Sequence, residues 1–102
     1  MSMKKMTMDE LFEIIRDEKT YRILEAIGNG EKATGEIVEK TQIFFKTFNY
    51  IAGRMFTLGL LSERTTFKTR FWSVNRAGVN AFAQRLRDLS GELIGAAAHF
   101  QI

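Results

Sequence analysis

The sequence predicts a mostly α-helical α+β domain, and three observations carry this prediction. Apolar residues recur at helical spacing through the first half of the chain and again from residue 75. Between residues 60 and 74 the pattern is instead typical of two short strands joined by a polar, basic connection. Proline is absent, so no helix is interrupted from within. A length of 102 residues favours one domain with a modest core over two independent ones.

The N-terminal part of the chain predicts helical structure. Residues 7–18 place apolar side chains at helical spacing, and Thr7 with Glu10 matches a capping box. Residues 20–27 continue the pattern until the segment 28–30, whose two glycines tolerate left-handed backbone and end it. Periodicity alone leaves open whether this region is one bent helix or two.

The middle of the chain predicts a helix pair. Residues 31–33 are typical of a short strand, and Thr34 is the predicted N-cap of the first helix of the pair. A turn over residues 40–45 leads into the second helix, at about residues 46–58. The apolar residues of this second helix share one face: Phe48, Ile51, Ala52, Met55, Phe56 and Leu58.

A basic hairpin is predicted directly after the helix pair. Gly59 ends the second helix, and a strand begins at residues 60–61. The residues that follow are polar apart from Phe67, and residues 70–74 return as a β-branched and aromatic strand. The tip and flanks of this hairpin, at about residues 62–70, form the predicted wing.

The C-terminal part predicts a long helix with Asn75 as its N-cap. Its apolar residues follow one another at alternating steps of three and four, which is the spacing of a heptad seam: Val79, Phe82, Leu86, Leu89, Leu93, Ala96 and Phe100. Gly91 and Gly95 permit another helix to approach closely. We interpret residues 79–102 as a dimerisation helix, and the alternative is that it folds back on the first helix of its own chain.

Charge is distributed unevenly along the chain. The formal net charge is +3, yet residues 1–45 carry seven basic and nine acidic side chains, whereas residues 46–102 carry eight basic and three acidic ones. Between Lys46 and Arg87 Glu63 is the single acidic residue. This polarity is typical of a protein that turns one face to a polyanion, although a solvated basic surface has the same charge pattern.

A helix pair followed at once by a basic two-stranded hairpin is the element order of a winged helix-turn-helix. That fold presents one helix and one wing to duplex DNA. The predicted fold is therefore a winged helix-turn-helix over residues 1–78, with a long C-terminal helix over residues 79–102 in the same compact unit.

Residues 16–78 resemble winged-helix transcription regulators of the ArsR, MarR and PadR type. Segment 16–27 looks like the helix that precedes the motif in ArsR-type repressors, and segment 35–40 resembles their first motif helix. Segment 47–55 resembles their recognition helix, and segment 71–78 is similar to the strand-to-helix junction of PadR- and MarR-type proteins. The resemblance implies a regulator that reads DNA with the second helix of the pair.

The sequence departs from the ArsR pattern in two places. The motif turn carries Phe44 and Phe45 where small polar residues are usual. Cysteine is absent, which excludes disulfides and the cysteine-based metal sensing of ArsR sensors.

The candidate DNA-binding residues lie on the recognition helix and the wing. Those of the recognition helix are Lys46, Thr47, Asn49, Tyr50 and Arg54, and those of the wing are Arg64, Thr66, Lys68 and Arg70. Asparagine and arginine can bond base edges in two places at once, while lysine, threonine and tyrosine reach phosphates. An aromatic side chain at the wing tip, Phe67, could pack on a partner chain or on a sugar.

The sequence offers no pattern of an enzyme. No nucleophile has a neighbouring base, no glycine-rich phosphate loop is present, and His99 is the single histidine. We therefore expect no catalytic residues, no metal and no cofactor. The start of the chain lacks the apolar stretch of a signal peptide, and no apolar run is long enough to span a bilayer, which predicts a cytoplasmic protein without membrane contact.

Two classes of function follow. The first is a sequence-specific regulator of transcription that binds double-stranded DNA as a homodimer; an effector ligand is not predictable. The second is a winged-helix module for protein–protein contact without DNA binding. Exposed aromatic residues, as interfaces prefer them, would form its docking surface: Phe44, Phe45, Tyr50 and Phe67. The scarcity of acidic residues between 46 and 87 favours DNA.

Overall fold

The computed structural model describes the backbone of residues 8–99, together with the side chains of Asp9 and of residues 12–91. The elements are α1 (Met8–Arg16), α2 (Glu18–Ile27), β1 (Glu31–Ala33), α3 (Thr34–Thr41), α4 (Phe45–Thr57), β2 (Leu61–Thr66), β3 (Thr69–Val74) and α5 (Arg76–His99). The three strands form one antiparallel sheet in the order β1-β3-β2. This is the mostly helical α+β architecture that the sequence predicts.

The N-terminal helical region is two helices, which settles the alternative that periodicity left open. Asp17 leaves helical geometry, with φ −78° and ψ 116°, and its carboxylate accepts a hydrogen bond from the N–H of Lys19 at 2.9 Å. An aspartate that caps the next helix in this way stabilises the break between α1 and α2. Of the capping box expected further upstream, Thr7 and the side chain of Glu10 lie outside the described residues.

Thr34 does not cap α3, so that prediction is wrong. The N-cap residue is Ala33, and Thr34 is already the first helical residue. The Thr34 hydroxyl is instead engaged with β3, because it accepts a hydrogen bond from the indole N–H of Trp72 at 2.8 Å and donates one to the Arg70 carbonyl at 3.3 Å. These bonds fasten the start of α3 to the wing strand.

The core lies between α2, α3, α4 and the inner face of the sheet. Phe48 of α4 and Trp72 of β3 meet edge to face at its centre, with ring centroids 5.9 Å apart. Both are fully buried, as are Ile23, Ile27, Ile37, Met55 and Leu61. Phe56 is an exception to the predicted core face: it is 48% exposed because it lies on the flank of α4, beside rather than on the buried stripe.

The root of α5 is fixed by backbone contacts to the turn before the wing. The side chain of Asn75 accepts a hydrogen bond from Gly78 N–H at 3.1 Å, which confirms the predicted N-cap. The backbone N–H of Asn75 donates to the Leu60 carbonyl at 2.9 Å. Gly78 lies so close to Gly59 that a Cβ atom built on it would be 1.7 Å from the Gly59 carbonyl oxygen. The helix therefore leaves the domain in a direction that the α4–β2 turn determines.

The first apolar residues of the α5 seam serve the chain's own core. Val79 and Phe82 are partly buried and pack against the core cluster. Leu86 and Leu89 are half-buried. Of the remaining seam residues, Phe100 lies outside the described part of the structure. The side chains of Leu93 and Ala96 also lie outside it.

Within residues 8–99 no helix is long and apolar enough to cross a membrane. Among the described side chains, no group of three or more histidine, cysteine, aspartate or glutamate residues could hold a metal ion.

Candidate nucleic-acid interface

Helix α4 turns one face to the core and the opposite face to solvent. Phe48, Ala52 and Met55 point inward and are fully buried, as predicted. On the outer face Lys46 and Tyr50 are exposed, whereas the side chains of Thr47, Asn49 and Arg54 are half-buried on its flanks. The structure thus brings all five predicted residues of this helix to its accessible side.

Arg54 and Tyr50 form a stacked pair on this outer face. The Arg54 guanidinium carbon lies 4.7 Å from the centroid of the Tyr50 ring. Since the two residues are one helical turn apart, the stack holds the guanidinium along the helix surface. A cation and a phenol hydroxyl are therefore presented side by side.

The turn that introduces α4 is tightly bonded to α3. Gln42 adopts left-handed backbone with φ 58°, and its N–H donates to the Val38 carbonyl at 2.8 Å. The buried Thr41 hydroxyl accepts from the N–H of Ile43 at 3.3 Å, and Arg22 of α2 donates to the Thr41 carbonyl. The turn is thereby held by hydrogen bonds that do not involve the side chains of the two aromatic residues in and after it.

Those two aromatic residues, Phe44 and Phe45, remain at the surface. Phe44 is 76% exposed and Phe45 is 56% exposed. Neither is recruited into the core, because Ile43 fills the buried position of the turn.

The register of the hairpin decides which way each wing cation points. Arg64 pairs with Phe71 across the two strands, whereas Arg70 pairs with Thr65. Because paired residues share a face and neighbours alternate, Arg70 lies on the same face as the buried Trp72, and Arg64 lies on the outer face. The guanidinium positions agree, since Arg70 lies 5.2 Å from the Trp72 ring and Arg64 lies 4.6 Å from the Phe71 ring.

Each wing arginine has a glutamate partner. On the outer face Arg64 donates two hydrogen bonds to Glu31 of β1, at 2.9 and 2.5 Å. On the inner face Arg70 donates two to Glu63, at 3.2 and 3.1 Å. The Arg64 hydrogen bond lowers the pKa of Glu31, and the Arg70 hydrogen bond lowers the pKa of Glu63. Both carboxylates are therefore ionised at neutral pH and offset much of the wing's charge.

The wing tip consists of Phe67 and Lys68. These two residues connect the last strand pair, Thr66 with Thr69. Phe67 has φ 48° and is 97% exposed, and the Lys68 ammonium lies 5.6 Å from the centroid of its ring.

An open cleft of about 330 Å³ joins the wing to the helix pair. Asn49 enters it from α4, and Lys68 and Arg70 enter it from the wing. Its other lining residues are Thr34, Gly35, Phe45 and Thr69. The structure thus brings together three of the predicted site residues from two elements. Arg64 is not among them, because it lies on the outer face of the wing.

Similar folds were found among solved structures. A structure described as an ArsR family transcriptional regulator matches with a TM-score of 0.66 and 12% sequence identity over 83% of this chain and 93% of its own. HlyU from Vibrio cholerae matches with a TM-score of 0.62 and 20% identity over 79% and 88%. The fold is a winged helix-turn-helix.

A third winged-helix match is a possible transcriptional regulatory protein from Mycobacterium bovis. It has a TM-score of 0.63 and 14% identity over 81% of this chain and 89% of its own. No protein-family model matches the sequence, and no curated protein is detectably similar to it. The predicted winged helix with a long C-terminal helix is confirmed at the level of the fold.

Sequence reasoning missed part of this interface. Thr34, Gly35 and Thr69 line the cleft, yet none of them is among the predicted DNA-binding residues. The hairpin register separates Arg64 from Arg70. The two arginines are six residues apart, which would place them on one face of a continuous strand. The two-residue turn between them places them on opposite faces instead. Glu31 could not be recognised as the partner of Arg64, because the two residues are far apart in the sequence. They come together only when β1 and β2 both pair with β3.

Proposed function

We propose that this chain is a transcription regulator that binds double-stranded DNA sequence-specifically as a homodimer in the cytoplasm. Helix α4 enters the major groove and the β2–β3 wing contacts the adjacent backbone or minor groove. The observation that carries the proposal is the cleft in which Asn49 of the recognition helix faces Lys68 and Arg70 of the wing. We assign no catalytic activity, metal or cofactor to the chain.

The chemistry of α4 and the wing suits a duplex. Asn49 offers an amide that can bond an adenine edge in two places, and Arg54 offers the guanidinium that suits a guanine edge. Lys46, Thr47 and Tyr50 can reach phosphates beside them, as can Thr66 and Lys68 on the wing. Base reading is therefore assigned to α4, and charge-driven attachment to the wing.

The dimer is proposed from the α5 seam. Leu86 and Leu89 stand beyond Val79 and Phe82, which already pack on the core. A 24-residue helix is about 36 Å long, so its seam extends well past its root. Pairing with a second copy would cover this seam and would present two α4 helices to successive major grooves, about 34 Å apart.

Binding to a short duplex should fall steeply as salt rises, by about 0.9 log units per log unit of salt for each phosphate contacted. Asn49→Ala should lose sequence preference at one position, at about 1–3 kcal/mol, because a base-edge contact is removed. Lys68→Ala should weaken all sequences alike and should reduce the salt slope by about 1. Fluorescence anisotropy at several salt concentrations, on selected and random duplexes, measures all three effects.

Gln84→Ala is the matched control, because Gln84 is exposed on α5 and bonds Asp88 and Arg87 rather than any predicted DNA-binding residue. It should bind as the wild type does. Absence of binding at low salt would refute the proposal. A uniform loss for both Asn49→Ala and Lys68→Ala would refute the assignment of base reading to α4.

The two glutamates that pair with the wing arginines provide a second test. Glu63→Gln removes a negative charge beside Arg70 in the cleft, so we expect several-fold tighter binding to random duplex and a steeper salt slope. Glu31→Gln removes the same charge beside Arg64 on the outer face, so we expect a smaller effect. Titration of both variants with one duplex makes the comparison, and equal gains would show that the inner face of the wing is not the docking side.

Protein–protein docking is the alternative function, and the exposed Phe44 and Phe45 are the observation in its favour. A module of that kind would bind its partner with little dependence on salt. Phe44→Ser should then abolish binding to the protein partner, and the wild type should not bind DNA even at low salt. The salt titration separates the two functions directly.

A further inference from the structure

Phe67 is held in an arrangement that the fold itself does not use. It is the most exposed of the large apolar side chains that the structure describes, at 97%. Its φ of 48° is left-handed backbone, which an aromatic residue adopts at a cost. Glycine or asparagine would satisfy this two-residue turn with less strain. The ring gains no contact with the core, which makes it a candidate contact for a ligand outside the chain.

The surroundings of the ring identify the chemistry of that ligand. Thr66 and Thr69 pair directly behind it, and the ammonium of Lys68 lies 5.6 Å from its centroid. A polyanion with an apolar interior fits these surroundings, because Lys68 and the threonines can bond phosphates while the ring enters between stacked bases. Protein interfaces also surround an apolar anchor with a polar rim, so the position of the tip beside α4 decides between the two ligands.

The wing tip lies close to the recognition helix, so one ligand can contact both. Lys68 and Thr69, the next two residues after Phe67, line the cleft that Asn49 enters from α4. A duplex seated on α4 would therefore run past the tip. Because the grooves alternate along a duplex, the tip meets the minor groove beside the major groove that α4 occupies.

We propose that Phe67 is an apolar wedge that enters the minor groove and partly unstacks one base-pair step of the bound DNA. This inference rests on the proposed function. Pyrimidine–purine steps such as TA unstack most readily, so the wedge selects for such a step at a fixed distance from the bases that α4 reads. Phe67 thereby contributes specificity at a position where no side chain bonds a base edge.

The experiment uses the full chain and two short duplexes that carry 2-aminopurine, a base whose fluorescence rises when it is unstacked. One duplex contains TA steps and the other an uninterrupted A-tract. Wild-type protein at saturation should raise the fluorescence of the TA duplex several-fold and that of the A-tract duplex little. Phe67→Gly should abolish the rise while still binding, and Phe67→Leu should retain part of it, since leucine also serves as a wedge.

Phe67→Gly is chosen because glycine accepts a φ of 48° without strain, so its thermal midpoint should equal or exceed that of the wild type. Lys68→Ala is the matched control on the same turn. It should weaken binding yet leave the fluorescence at saturation unchanged.

An equal rise for wild type and Phe67→Gly would overturn the wedge while leaving DNA binding intact. Loss of dimers in Phe67→Gly, measured by sedimentation, would overturn it in favour of a contact between copies. Failure of the wild type to bind either duplex would instead refute the proposed function.

Discussion

Gly78→Ala is expected to lower the free energy of unfolding by about 3 kcal/mol, at the upper end for an overpacked site. The reason is geometric, because the new methyl group would lie 1.7 Å from the Gly59 carbonyl oxygen and 2.8 Å from its carbon. Both neighbours are backbone atoms and cannot move aside as a flexible side chain could. The whole root of α5 must shift, which weakens the packing of Val79 and Phe82 on the core.

Thermal unfolding measures this effect, and the midpoint should fall by roughly 15 °C in a domain of this size. Gly91→Ala is the matched control, because Gly91 lies in the same helix and a Cβ there meets no atom within 4 Å. Alanine favours helix over glycine, so Gly91→Ala should raise stability by about 0.5–1 kcal/mol. Equal midpoints for Gly78→Ala and the wild type would show that α5 is not held against the turn at Gly59.

Leu89→Lys is expected to convert the proposed dimer to monomers and to weaken binding to its specific DNA site about a thousandfold. A charged side chain in the seam cannot be buried against a second copy without a partner of opposite charge. The surviving monomer would contact a single half-site and would keep little beyond non-specific attachment, which is typically weaker by a factor of this order. Light scattering measures the assembly, and anisotropy measures the affinity.

Ser90→Lys is the control for this change. It places the same charge on the neighbouring exposed residue of α5, so it should leave the dimer and its DNA affinity intact. Ser90→Lys also measures how much an added positive charge by itself raises the affinity for DNA. A wild-type monomer at tens of micromolar would refute the dimer while leaving the winged helix standing.

Local sequence patterns predicted most of the fold. The helical spacing of Phe48, Ile51, Ala52 and Met55 identified α4 and its buried face, because that stripe depends only on neighbours along one helix. The cap at Asn75 was also predicted, since a cap is a contact between residues three positions apart. Features that follow from one segment were thus within reach of the sequence.

Features that depend on two segments were not. Thr34 matched a helix cap in sequence, yet its hydroxyl bonds Trp72 and Arg70, which lie more than thirty residues later. Phe56 fitted the apolar pattern of α4 but lies on its flank and is 48% exposed. The wing cations were recognised, whereas Glu31, the partner of Arg64 across the sheet, was not.

The candidate site was predicted in composition but not in arrangement. Its residues on α4 all reach the accessible side, as helical geometry requires. The grouping of Asn49 with Lys68 and Arg70 depends on how the wing folds beside α3, which neither segment specifies alone. The sequence placed Phe67 at the wing tip but did not predict its left-handed backbone, because a hairpin tip can adopt several turn types.

The seating of Gly78 on Gly59 makes α5 a lever for the recognition helix. The α4–β2 turn and the root of α5 are joined by that contact and by the hydrogen bond from Asn75 to Leu60. The two segments should therefore move together. In the proposed dimer a change in the crossing angle of the two α5 helices would swing each α4 as a rigid arm. Over a helix about 36 Å long, a tilt of about 10° moves the far end by about 6 Å, roughly the width of a minor groove. Small changes at the seam would thus alter the distance between the two α4 helices, and with it their match to successive major grooves of DNA.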